Sequence, residues 1–237
     1  MVRECGPAGV AADHDLAVRA ARLLQRDSGV DRGVSIEVDK KLPLGSGLGG
    51  GSSDAATVLL GLNCLWQLNY SRHALMKIAL ELGADVPFFI FGEPALGQGV
   101  GERLAAVSFP PTWFVVIDPG VAVPTEAIFA AAELTRNSAS MKITVFPEGF
   151  GRNDLQPVAA ARFPVIAACF DALARKAAMA RATVDPRMSG SGSCVFAPFV
   201  SEEAAAQALS RARSACRLTG FVARALNRHP LWGFAAP

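Results

Sequence analysis

Residues 43–56 read PLGSGLGGGSSDAA. Glycines, lacking Cβ, let a backbone come close to a ligand. The residues that follow, 53–68, are helix-length and apolar almost all round, which predicts a buried helix. The first turn of any helix presents unpaired N–H groups and the positive end of the dipole. A glycine-rich loop that feeds such a turn is an anion site suited to phosphates. Flexible linkers have no reason to feed so apolar a helix. The candidate nucleotide-binding residues are therefore Pro43, Leu44, Gly45, Ser46, Gly47, Leu48, Gly49, Gly50, Gly51, Ser52 and Ser53. Ser52 and Ser53 can donate hydroxyls or cap the helix. Asp54 falls in its first turn, where the dipole favours a carboxylate. Two roles stay open for it: a plain helix-start aspartate, or a contact to Mg²⁺ held between carboxylate and phosphates.

Two familiar loop types do not fit. A Walker loop needs Lys then Ser or Thr after its last glycine, and neither follows Gly51 in that order. Gly45, Gly47 and Gly50 match G-x-G-x-x-G, but residues 40–43 (KKLP) separate them from the preceding strand pattern. No acidic residue ends a following strand at the distance a dinucleotide fold requires, because two helical patterns come next.

Working outward, the 237 residues are 51% hydrophobic and 19% charged, enough for a sizeable core in one large domain or two modest ones. A net charge of +2 with scattered Lys and Arg points away from nucleic acid as the partner. The apolar runs VPFFIF and WFVVI are strand-sized rather than membrane-sized, and residues 1–15 lack the basic-then-apolar order of a signal peptide. Five separated cysteines without a CxxC pair fit a reduced, cytoplasmic setting. Three histidines at no ligand spacing give no support to a His-based metal site or a Ser-His-Asp hydrolase.

Periodicity predicts helices over 15–25, 71–82, 125–134, 164–179 and 202–216. Strands are predicted over 34–39, 86–91, 113–117, 193–199 and 220–226, with a glycine-rich turn between short strands in 95–107. Residues 137–151 read as polar and irregular. The second half alternates helix and strand, which packs as an α+β sandwich. Pro110-Pro111 suggests a junction, giving domains over 1–106 and 107–237.

PLGSGLGGGSS resembles the central motif of the GHMP kinases, and two further stretches match that family in order and spacing. LGADVPFF, residues 82–89, is similar to the segment with the catalytic aspartate. RMSGSGSCVFA, residues 187–197, is similar to the C-terminal glycine motif. Local likenesses at GVGERL, PTEAIF, Arg136-Asn137 and NDLQP (153–157) point to the branch acting on a cytidine diphosphate-linked sugar alcohol of the non-mevalonate isoprenoid pathway. The resemblance implies an α+β fold: an N-terminal ATP-binding domain and a C-terminal ferredoxin-like sandwich. It also implies ATP with Mg²⁺ and in-line attack of the substrate hydroxyl on the γ-phosphate. Read from the residues alone, Asp85 is a turn aspartate or a partly desolvated acid before a strand. The resemblance assigns it the catalytic position. It also places Ser191 and Gly192 at the edge of the active site and brings Thr125 and Phe129 to the cytosine. Other GHMP kinase substrates and a non-catalytic nucleotide-binding fragment are the alternatives.

The family opens with an Ala-Lys-(apolar)-Asn strand and a Gly-Tyr-His segment, and these 237 residues contain neither. The expectation is a chain lacking the family's N-terminal edge, with weak or absent turnover, because a cation near the developing phosphoryl charge is missing. Exposed apolar surface at an open sheet edge is expected with it.

Overall fold

Asp15 caps the first long helix, α1 (Leu16–Ser28), accepting the Ala17 N–H at 2.9 Å, and Gly29 ends it in the left-handed region. In this computed structural model residues 2–5, 10–108, 110–138, 151–179, 185–216 and 219–236 are described. They divide into two compact units: Met1–Leu42, Gly49–Ser108 and Leu226–Pro237 in the first, Pro43–Leu48 and Phe109–Ala225 in the second.

In the first unit β1 (Val2–Cys5) pairs in parallel with β2 (Ser35–Glu37). The core is α1 against α2 (Gly50–Leu65): Ala17, Ala20, Ala21 and Leu24 meet Ala55, Ala56, Leu59 and Leu60, all fully buried. Small alanines on both helices leave the larger leucines to fill the remaining space. Ser71 caps α3 (Arg72–Ala79) through the Ala74 N–H. Next come α4 (Val86–Phe91) and a hairpin of β3 (Ala95–Gln98) with β4 (Arg103–Ala106).

α4 corrects the expectation of a strand over 86–91. Val86, Pro87 and Ile90 are buried while Phe88 is exposed, a helical rather than an alternating pattern. Pro87 sits in the first turn, where its missing N–H costs nothing, and Gly92 closes the helix at φ 72°. A six-residue apolar run carries too little periodicity to separate the two states.

In the second unit β5 (Trp113–Asp118), β6 (Arg187–Met188), β7 (Val195–Phe199) and β8 (Thr219–Arg224) form an antiparallel sheet in the order β6-β7-β5-β8. Around it lie α5 (Thr125–Phe129), α6 (Gln156–Arg162), α7 (Pro164–Met179) and α8 (Glu202–Cys216). Val115, Ile117, Val195, Ala197 and Phe199 pack on Ile166, Leu173, Ala205 and Ala208. This is the expected α+β sandwich, with α5 ending at Phe129 rather than continuing to 134. The predicted irregular segment 137–151 falls largely outside the described residues. No single helix among the described residues is long and apolar enough to cross a membrane. Among the described residues Cys64 is an exposed free thiol and Cys194 a buried one.

The division departs from a single cut after residue 106, because Leu226–Pro237 returns to the first unit. Buried Arg72 explains why. Its guanidinium donates to the carbonyls of Ile90, Trp232 and Ala235 and lies 4.0 Å from the Trp232 ring centre. Its own N–H donates to Ala236 O at 2.7 Å, and the Asn63 amide reaches Phe234 O at 3.1 Å. Arg72→Met is expected to lower stability by about 2 kcal/mol, since the buried carbonyls of Ile90 and Ala235 and the part-buried one of Trp232 lose their donor. Urea denaturation of both chains measures it, and an unchanged midpoint would contradict it.

Candidate active site

Gly49, at φ 68°, stands at the N-cap of α2, so the helix starts three residues before the expected position. Its first backbone bond runs from Ser53 N to Gly49 O at 2.8 Å. The N–H groups of Gly50, Gly51 and Ser52 precede that bond and have no intrahelical acceptor, which is the donor set of an anion site. Glycines suit this turn because space is short. A Cβ on Gly49 would lie 2.7 Å from Phe89 Cζ, and one on Gly50 would lie 3.4 Å from Lys40 Nζ.

Lys40 was not singled out by sequence reasoning. Its side chain is 15% exposed and forms an ion pair with Asp54 beside that first turn. Asp54 is thus already neutralised by a cation of the chain. The only sequence signal for Lys40 was KKLP before the loop, which reads equally as a solvated linker. No group of three or more His, Cys, Asp or Glu side chains that could hold a metal occurs among the described residues.

Asp85 lies at the N-cap of α4, and its carboxylate makes no capping bond. Its Oδ1 instead accepts the hydroxyl of buried Ser52 at 2.8 Å, and its Oδ2 lies 3.7 Å from where a Gly49 Cβ would be. The starts of α2 and α4 therefore converge on one carboxylate. Asp85 is exposed, so a hydroxyl can reach it directly. Such a carboxylate can take or orient a proton.

The first half of the loop belongs to the second unit. Ser189 Oγ donates to Gly47 O at 2.7 Å, and Cys194 N donates to Ser46 O at 3.0 Å. Gly47, at φ 74°, has no room for a side chain: a Cβ would sit 2.2 Å from Ser189 O and 2.8 Å from Gly192 O. Gly45, at φ 65°, is open except for Ala122 at 3.6 Å, and Leu44 is half exposed. Residues 43–48 and the 189–192 turn thus lie against each other. Burial, with the Asp118 charge adding, pushes the Cys194 thiol up to about 12, so it is no nucleophile near neutral pH. Ser191 Oγ and Thr125 Oγ1 are 2.7 Å apart. Phe129, one helical turn beyond Thr125, is 55% exposed, and its carbonyl accepts from Arg136. An exposed ring on a helix end is a poor core residue and a usable platform.

The GHMP kinases N terminal domain model matches residues 15–93, and the GHMP kinases C terminal model matches residues 132–218. The chain is 50% identical over 234 residues to 4-diphosphocytidyl-2-C-methyl-D-erythritol kinase of Thiobacillus denitrificans, covering 99% of this chain and 81% of that one. The chain belongs to the GHMP kinases. It is 48% identical to the kinase of the same name from Nitrosospira multiformis, covering 96% of this chain and 75% of that one. Among solved structures it is similar to a 4-(cytidine 5'-diphospho)-2C-methyl-D-erythritol kinase, at TM-score 0.75 and 32% identity, covering 94% and 81% of the two chains. Homoserine kinase from Cytophaga hutchinsonii shares the fold at TM-score 0.69 and 20% identity, covering 96% and 81%. As a GHMP kinase the chain is an ATP-dependent enzyme acting on a small molecule.

Proposed function

We propose that this GHMP kinase transfers the γ-phosphoryl group of ATP to the hydroxyl of 4-diphosphocytidyl-2-C-methyl-D-erythritol, in the non-mevalonate isoprenoid pathway. The observation that carries the chemistry is the Asp85 carboxylate, 2.8 Å from Ser52 Oγ at the phosphate-ready start of α2. The substrate follows from relatives of that name about 50% identical over almost the whole chain. Gly49 through Ser53 bind phosphates with backbone N–H groups, and Pro43 through Leu48 lead into them. Asp85 orients the substrate hydroxyl and accepts its proton. Positioning and charge stabilisation supply most of the acceleration, since phosphoryl transfer asks little covalent chemistry of the protein. Mg²⁺ bound to ATP would neutralise phosphate charge, with Asp54 as the candidate protein contact. The setting is cytoplasmic, with no role for nucleic acid or membrane.

Phe129 stacks on the cytosine, with Thr125, Ser191 and Gly192 beside it. Base–aromatic stacking contributes about 1–3 kcal/mol. Phe129→Ala is therefore expected to raise KM for the cytidylylated substrate by about tenfold or more, with ATP affinity unchanged. Initial rates against each substrate measure the split, and an unchanged KM would remove Phe129 from the site. The test of function is selectivity: ADP release with the cytidylylated alcohol against homoserine, mevalonate and galactose.

A further inference from the structure

β6, the edge strand of the second unit's sheet, is two residues long, Arg187–Met188, and among the described residues pairs with β7 alone. Side chains take the place of a further strand. The Asn153 amide donates to Met188 O at 2.9 Å and to Gly190 O at 2.7 Å, while Gln156 Oε1 accepts Met188 N at 3.1 Å. Asn153 Oδ1 also accepts Leu155 N at 3.0 Å, which locks the rotamer that aims the amide. Both N–H groups of the half-buried Asn153 amide and its oxygen therefore have a fixed partner.

The peptides held this way lead directly into residues 189–192. Ser189 N donates to Cys194 O at 2.9 Å, and Gly192 N donates to Ser189 O at 3.0 Å. From that turn Ser189 Oγ holds Gly47 O, Cys194 N holds Ser46 O, and Ser191 Oγ meets Thr125 Oγ1. One side chain thus stands behind a turn that touches both the phosphate loop and the Thr125 hydroxyl.

We infer that Asn153 is a positioning residue for phosphoryl transfer: by holding residues 188–190 it fixes the turn that sets the backbone of Ser46 and Gly47 for ATP. The inference rests on the nucleotide reading of the loop. Asn153→Asp keeps the shape but faces two carbonyls with a carboxylate, and Asn153→Ala removes the donors outright.

ATP affinity is measured by calorimetry at pH 8 and pH 5, well below the melting temperature of each variant. Both variants are expected to bind ATP about tenfold more weakly at pH 8. At pH 5 the Asn153→Asp deficit narrows, because the two carbonyl oxygens it faces disfavour the carboxylate, raise its pKa toward that pH and let the protonated form regain one donor, while the Asn153→Ala deficit persists. A purely structural role would lower the melting temperature and leave affinity and its pH dependence as in the parent. ATP affinity within twofold of the parent in both folded variants overturns the inference. Should neither variant fold, Ser189→Ala cuts the next link. It is expected to weaken ATP binding about tenfold, and parent-like affinity overturns the inference. A parent chain that does not bind ATP would instead overturn the nucleotide reading itself.

Discussion

Asp85→Asn is expected to cut phosphoryl transfer by about 10²–10⁴-fold while leaving ATP affinity within about twofold of the parent chain. The side chain is exposed, so its replacement leaves no buried group unpaired. It makes no capping bond, so α4 keeps its start without the charge. The amide oxygen of Asn can still accept the Ser52 hydroxyl that Asp85 now accepts at 2.8 Å, so the start of α2 is undisturbed. What the substitution removes is the ability to take a proton from an attacking hydroxyl. Single-turnover transfer and calorimetric ATP binding separate the two effects. A transfer rate within tenfold of the parent would mean that another group orients the hydroxyl.

Gly47→Ala is expected to cost about 3 kcal/mol of stability and to weaken ATP binding by more than tenfold. Two penalties add. A residue with a Cβ is strained at φ 74°, which costs about 1 kcal/mol. The Cβ would also meet Ser189 O at 2.2 Å and Gly192 O at 2.8 Å, and overpacking of this kind costs about 1–3 kcal/mol. Relief by movement is blocked, because both oxygens are backbone and Ser189 is held by Cys194 O and Gly47 O. Gly29→Ala is the control. Gly29 has nearly the same φ, 66°, with nothing within 4 Å of its Cβ position. It should carry the strain alone, with ATP affinity unchanged. Equal effects from both alanines would show that the fit of Gly47 to the turn is irrelevant.

Much of this arrangement was legible in the sequence, and what was not has physical causes. The helices over 15–25 and 164–179 were readable because 3.6-residue periodicity is local. The glycine loop was readable because few purposes need that many residues without Cβ before an apolar helix. Its last turn was misread: Gly50 and Gly51 are low in helix propensity yet lie inside α2, where Leu16 and Lys40 crowd them. α4 was misread because six apolar residues serve a strand or a helix equally well. Lys40–Asp54, Arg72 with the C-terminal return, and Asn153 behind the 189–192 turn join residues far apart in the chain, or a charge to a place no pattern marks. Partners of that kind become visible only once the fold has placed them.

On the proposed reading, the start of α2 and the Asp85 carboxylate serve phosphoryl transfer to a cytidylylated sugar alcohol. The measurement closest to it is ADP release by the chain with ATP, Mg²⁺ and 4-diphosphocytidyl-2-C-methyl-D-erythritol, run beside homoserine, mevalonate and galactose under identical conditions. The predicted result is product from the cytidylylated alcohol alone, lost in Asp85→Asn. Equal or faster transfer to any of the other three alcohols, or transfer that survives in Asp85→Asn, would contradict it.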